Sequence, residues 1–183
     1  RYWRDWSSDV CSSDLVPAGR PVRRIGFSIQ LPHEHGVVNQ TCDLEVHRLA
    51  LEILFQLARD YDVEIVAHHK SEYFRYLGQF QGTGIPVRFS SFHQDLHEVY
   101  RQYDGVITTR LHSSLFANGH GIPGIIINDT ERHSHALVGF PHSTAVRTRE
   151  EFNHQFQRLL TTDLAGVARE MGQFKDQLLQ RYE

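Results

Sequence analysis

Apolar positions along this chain fall into short continuous runs separated by stretches at helical spacing. The runs Arg24–Ile29 (RIGFSI), Val63–Ala67 (VEIVA), Val87–Ser90 (VRFS), Gly105–Thr109 (GVITT) and Gly124–Asn128 (GIIIN) predict five buried strands. Between them lie amphipathic patterns. Val46, Leu49, Ala50, Ile53, Leu54, Leu57 and Ala58 make one helical face, with Thr41 or Asp43 placed to cap it. A helix capped by Ser71 runs through Phe80 and is broken by Gly82 and Gly84. Leu96, Val99, Tyr100 and Tyr103 share a third face. Leu111–His120 is a small-residue helix ending at Gly121, a good position for a glycine C-cap. Glu131–Val138 is read as helical, and Glu150–Leu160 and Leu164–Tyr182 as closing amphipathic helices. Strands alternating with helices predict βαβ units, hence a Rossmann-like α/β fold with a mainly parallel sheet covered on both faces. Internal repeats and low-complexity segments are absent from the sequence.

Composition narrows this picture. With 40% hydrophobic and 22% charged residues in 183, the chain has the makeup of one globular domain. A net charge of −3 gives no general case for nucleic acid or a membrane surface, and no apolar run reaches the about 20 residues of a membrane span. The first residues carry no secretory pattern. The stretch Asp5–Leu15 (DWSSDVCSSDL) matches one reading frame of a sequencing adapter, so residues 1–15 are set aside as adapter-derived and expected to be disordered; the domain is taken as 16–183. This leaves Cys42 alone of the two cysteines, with no disulfide framework or zinc spacing.

Chemistry concentrates in Tyr103–Asp129 (YDGVITTRLHSSLFANGHGIPGIIIND). A strand ends at Thr109, Arg110 and His112 follow at once, and a helix begins. Ligands of open parallel sheets bind outside the carboxyl ends of the strands. A helix start there presents free N–H groups and partial positive charge. Arg110 adds a guanidinium suited to carboxylate or phosphate, His112 an imidazole that titrates near neutral pH, and Ser113 a hydroxyl. The plain alternative is that Arg110 and His112 only cap and solvate a helix start.

In order, Asp104, Val106, Ile107, Arg110-Leu111-His112, Ala117 and Gly121-Ile122-Pro123 resemble the signature of the polysaccharide pyruvyl transferase family, and the approach LHEVYRQYDGVI is similar to it as well. The resemblance implies one half, the C-terminal one, of a two-domain GT-B fold. It also implies transfer of a pyruvyl group from phosphoenolpyruvate to a sugar of a cell-surface polysaccharide, with no further cofactor, in the cytoplasm or at the inner face of the membrane. Leu111 and His112 would then border the phosphoenolpyruvate site, with His112 as general acid or phosphate-binding imidazole and Arg110 as positive charge. Asp129 and Arg132 would fill the places where relatives carry an Asp followed by a basic residue. The run His133-Ser134-His135 beside them departs from the family pattern. A fragment lacking the other domain is expected to turn over weakly or not at all.

Two rival readings remain: a GT-B glycosyltransferase that uses a nucleotide sugar, whose diphosphate the same helix start could hold, and a non-catalytic binding domain on the same fold. His33-Glu34-His35 lies in the loop after the first strand, on the ligand side, and is read as an ordinary polar loop. No carboxylate-rich or HExxH pattern joins these histidines to His133 and His135, so no metal site is expected. His68-His69-Lys70 is expected to face solvent, His93, His97, His142 and His154 to lie on the surface, and Tyr73, Phe74, Tyr76 and Phe80 to pack rather than stack on a sugar.

Overall fold

A computed structural model of the chain describes residues 21–30, 33–34, 37–38, 44–89, 93–127, 137, 140 and 142–180. Strand β1 (Arg24–Ser28) is followed by a two-stranded antiparallel pair, β2 (His33–Glu34) and β3 (Val37–Val38), then helix α1 (Leu44–Leu57). Next come β4 (Asp62–Ala67), α2 (Lys70–Gln79), β5 (Val87–Phe89), α3 (His93–Tyr100), β6 (Gly105–Thr108), α4 (Leu111–Gly119) and β7 (Gly124–Ile127). The chain closes with β8 (Ser143–Val146), α5 (Arg149–Leu160) and α6 (Leu164–Gln180).

Six strands form one sheet in the order β5-β4-β1-β6-β7-β8, and every pairing in it is parallel. The order runs outward from β1 in both directions, so the sheet reverses direction between β1 and β6. That is the topological switch point of a Rossmann-like sheet, where a crevice opens beyond the carboxyl ends. Side chains alternate across the sheet with period two. Ile25, Phe27, Ile65, Ile107 and Ile125 enter the larger core with Ala50, Ile53 and Leu54 of α1 and Phe152, Phe156 and Leu159 of α5. Val66 and Val106 enter the other, with Leu96, Val99 and Tyr100 of α3 and Ala117 of α4. Helices therefore cover both faces, which is why the strands read as continuous apolar runs.

Three sequence expectations change. The sheet has a sixth strand, β8: Ser143-Thr144-Ala145-Val146 is short and half polar, and only its pairing with β7 makes it a strand. The loop after β1 contains the β2–β3 pair, two residues per strand and too short to leave a periodic signal. Helix α2 starts two residues earlier than the Ser71 cap predicts: Lys70 is its first residue and His69 its N-cap. Glu72 at the third helical position folds its carboxylate back onto the backbone N–H groups of His68 (2.9 Å) and His69 (3.2 Å), in the manner of a capping box. The predicted helix at 131–138, apart from residue 137, and the caps Thr41 and Asp43 lie outside the described residues.

At the opposite edge of the sheet, Asp104 accepts from the backbone N–H of both Arg23 and Arg24 at 2.8 Å. It fixes the start of β1 and lies away from the crevice. Gly121 has φ +73°, in the left-handed region, and a Cβ there would stand 2.5 Å from the Cα of Ala168. Glycine is thus required both by the turn after α4 and by the close approach of α6.

Candidate functional site at the switch point

The carboxyl ends of β1, β4 and β6 and the first turn of α4 meet at one place, and polar side chains join them. Thr109 carries its backbone N–H to the Ser28 carbonyl (3.0 Å), and its Oγ1 accepts from the Gln30 N–H (2.7 Å), which locks the end of β1 to the end of β6. Thr108 Oγ1 accepts from the Arg110 N–H at 2.8 Å and turns the chain into α4. Arg110 is the N-cap residue of α4, and its side chain does not cap the helix. It reaches instead to α2, where its Nη2 donates to Glu72 Oε1.

This pair is largely dry: the Arg110 side chain is 14% exposed and that of Glu72 2%. Glu72 therefore takes donors from Arg110, His68 and His69. The guanidinium does not stand open as the sequence reading expects; its charge is already partnered by a buried carboxylate. Leu111, the first residue of α4, is half-buried, and His112 beside it is exposed. Ser113 is fully buried. Its hydroxyl lies 3.1 Å from Ser28 Oγ, to which it donates, and 3.0 Å from the Nε2 of His68. The same Nε2 lies 2.8 Å from the hydroxyl of Tyr100. Burial pushes the Tyr100 phenol up to about 12, with hydrogen bonds from the Ser113 and Ser28 side acting the other way.

Of the residues expected in the site, Arg110, Leu111, His112 and Ser113 are brought to one edge of the sheet, while Asp129 and Arg132 lie outside the described residues. Expectation fails for His68. It does not face solvent but is half-buried and bonded into the cluster, whereas His69 and Lys70 are exposed as expected. His97 is not a free surface residue either: its Nδ1 lies 2.9 Å from the Nε2 of His120, packed against Phe116. His142, half-buried, bonds Glu170 at 2.7 Å, and His154 is exposed. Tyr76 and Phe80 are buried and Tyr73 stacks on Phe89, in line with packing, but Phe74 is largely exposed. The side chains of His33, Glu34 and His93, and residues His35, Cys42, His133 and His135, are outside what is described. No group of three or more metal-ligating side chains occurs among the described residues.

No family model matches this chain, and no curated protein matches it either. Solved structures do. The UDP-GlcNAc 2-epimerase of Methanocaldococcus jannaschii, in complex with UDP-GlcNAc and UDP, superposes with a TM-score of 0.57 at 13% identity over 87% of this chain and 46% of its own. A second structure of the same enzyme gives 0.55 at 14% identity, covering 86% of this chain and 46% of that one. A Listeria monocytogenes protein described as a UDP-N-acetylglucosamine 2-epimerase gives 0.53 at 16% identity, over 87% and 44%. The likeness is one of fold: a Rossmann-like α/β unit of the kind found in GT-B-like proteins. This chain spans less than half the length of these structures. No helix among its described residues is long and apolar enough to cross a membrane.

Sequence reasoning missed Glu72, His68 and Tyr100. Glu72 carries one faint signal, its place three residues after an N-cap. Tyr100 is indistinguishable in sequence from the other apolar positions of α3, since its ring packs with Phe116 and only its hydroxyl reaches the site.

Proposed function

We propose that this chain is the donor-binding half of a sugar-modifying enzyme and that its reaction is pyruvyl transfer from phosphoenolpyruvate to a sugar. The observation that carries the reading is the placement of Arg110-Leu111-His112 at the start of α4, beyond the carboxyl ends of β1 and β6. An α-helix start at a switch point favours anions, and the Arg-Leu-His turn is the part of the chain that resembles the pyruvyl transferases.

The chemistry matches the groups present. Phosphoenolpyruvate brings a phosphate and a carboxylate. Protonation of its methylene carbon makes C2 electrophilic, and a first sugar hydroxyl adds there and gives up its proton. A second hydroxyl then displaces phosphate and closes the ketal. Of the two hydroxyl protons, one balances the new methyl C–H and the other leaves with phosphate. His112, exposed beside the helix start, is the proton donor in this scheme, and Leu111 forms the apolar border of the methylene group. A general acid so placed contributes about 10²–10⁴-fold in rate. Asp129 and Arg132 are assigned to the same pocket from the sequence alone. The acceptor would be a cell-surface polysaccharide sugar, handled in the cytoplasm or at the membrane's inner face, and much of its binding surface would belong to the other half of the enzyme.

A second reading is a nucleotide-sugar enzyme, favoured by the fold match to epimerases, one of them in complex with UDP-GlcNAc and UDP. Thermal-shift titration separates the two. Phosphoenolpyruvate that stabilises the protein saturably, with a weaker shift from UDP, supports pyruvyl transfer; at a hundredfold excess over Kd the gain is about 2.7 kcal/mol. Stabilisation by UDP alone moves the assignment to a nucleotide sugar.

A further inference from the structure

Among the described residues, the start of α4 offers a dianion little uncommitted positive charge. The guanidinium of Arg110 is bonded to the buried carboxylate of Glu72, so the pair is close to neutral as a unit. The helix start supplies only about half an elementary charge. His112 supplies one imidazole. Among the described residues, His68 brings a second imidazole to this turn: its Nε2 lies 3.0 Å from the hydroxyl of Ser113 in the first turn of that helix.

We propose that His68 is a second ligand-charge partner of this crevice, taking up a proton when a phosphate-bearing anion binds at the start of α4. The role rests on the reading of the crevice as an anion site. The geometry makes His68 a proton-exchanging group rather than a passive one. Its Nε2 stands between two hydroxyls, Tyr100 at 2.8 Å and Ser113 at 3.0 Å. A neutral Nε2 without a proton accepts from one of them, and an imidazolium donates to one instead. The proton state of His68 therefore sets how both hydroxyls turn, and through Ser113 it reaches Ser28, 3.1 Å further on at the end of β1.

The surroundings are specific. From α2, Glu72 approaches the backbone N–H of His68, with its charge met by Arg110. From α3, Tyr100 presents a buried phenol. From α4 comes Ser113. The neighbouring His69 and Lys70 are exposed. A bound dianion is thus the charge change that this ring would respond to, and an anion beside an imidazole favours its charged form. Ser28, Ser113 and Tyr100 are sealed from solvent, while His68 is half-buried and is the least enclosed residue of the cluster.

The test is calorimetric titration of the whole chain with phosphoenolpyruvate between pH 7 and 9, where its phosphate is already dianionic (second pKa about 6), in buffers of differing ionisation enthalpy. We expect proton uptake on binding and an affinity that falls with rising pH, towards about tenfold per pH unit for one linked proton. His68→Gln, which keeps a polar group opposite Tyr100 and Ser113, is expected to bind with the His68 part of that slope removed. Nitrogen-15 spectra of the unaltered protein, with the His68 ring followed directly, answer the question even if the variant does not fold; its titration midpoint is expected to rise with saturating ligand. Binding with uptake unchanged in His68→Gln and lost in His112→Gln overturns the role while leaving the anion site intact. Failure of both phosphoenolpyruvate and inorganic phosphate to bind overturns the anion reading itself, and this role with it.

Discussion

Arg110 at the start of α4 donates to Glu72 in the first turn of α2, and the two hold the carboxyl edge of β4 to that of β6. In the sheet order β4 and β6 flank β1, so the pair links the elements that follow these two strands across the carboxyl end of the sheet. Removing one partner of a buried ion pair leaves a charge without compensation, typically at a cost of about 3–5 kcal/mol. Arg110→Ala is therefore expected to lower folding stability by that order in urea denaturation, and Arg110→Ala with Glu72→Gln to recover a large part of it. A loss below about 1 kcal/mol for the single variant would show the pair to be wet and weak. Ligand studies should accordingly use Arg110→Lys, which retains a charge for Glu72.

Two of the buried phenols, Tyr100 and Tyr103, give an alkaline signature. Burial pushes Tyr100 up to about 12 and pushes Tyr103 higher still, with the hydrogen bond to Glu64 reinforcing the second. The unfolded phenol titrates at about 10. Their stabilising contribution is full below that value and is lost as pH rises from there through the folded-state values. Absorbance titration of the native protein is expected to leave Tyr100 and Tyr103 un-ionised at pH 11, and Tyr100→Phe to leave one fewer un-ionised tyrosine than the parent.

His47 of α1 gives the acid counterpart. It is half-buried, and burial holds its imidazole below the ordinary value of about 6.5, partly offset by a hydrogen bond with the backbone at Gln30. The unfolded state takes a proton there before the folded state does. Stability is full above about 6.5 and falls as pH drops towards the folded-state value. Stability measured at pH 7.5 and 5.5 is expected to differ less in His47→Gln than in the parent; an equal difference in both would remove His47 from the account.

Gly121→Ala tests the turn after α4. The added Cβ meets backbone atoms of Ala168, its Cα at 2.5 Å and its N at 3.2 Å, so no side-chain rotation relieves it, and the left-handed φ adds strain. A loss of about 1–3 kcal/mol or more is expected on thermal or urea unfolding. A variant as stable as the parent would mean that α6 does not pack there as described.

The fold was legible because its strands are buried on both faces and its helices are amphipathic, so both periods stand out in the apolar pattern. β8 was not, because Ser143 and Thr144 are polar and their strand character comes from pairing with β7. The position of Arg110, Leu111, His112 and Ser113 at one edge was legible from the strand that ends just before them. The state of Arg110 was not. Its partner Glu72 lies 38 residues earlier, and nothing local to either residue encodes their meeting. His68 was misread for the same reason: its partners Tyr100 and Ser113 come from two helices that only the sheet order brings together. Asp104, which reads as part of a functional signature, instead ties down the first residues of β1 at the far edge.

The most direct measurement is a backbone amide spectrum of the nitrogen-15-labelled chain during titration with phosphoenolpyruvate. The account predicts saturable shifts concentrated at Ser28, His68 and Thr109–Ser114, the residues around the start of α4. Saturable shifts centred elsewhere, or none at those residues while UDP moves them, would contradict the assignment of this crevice to phosphoenolpyruvate.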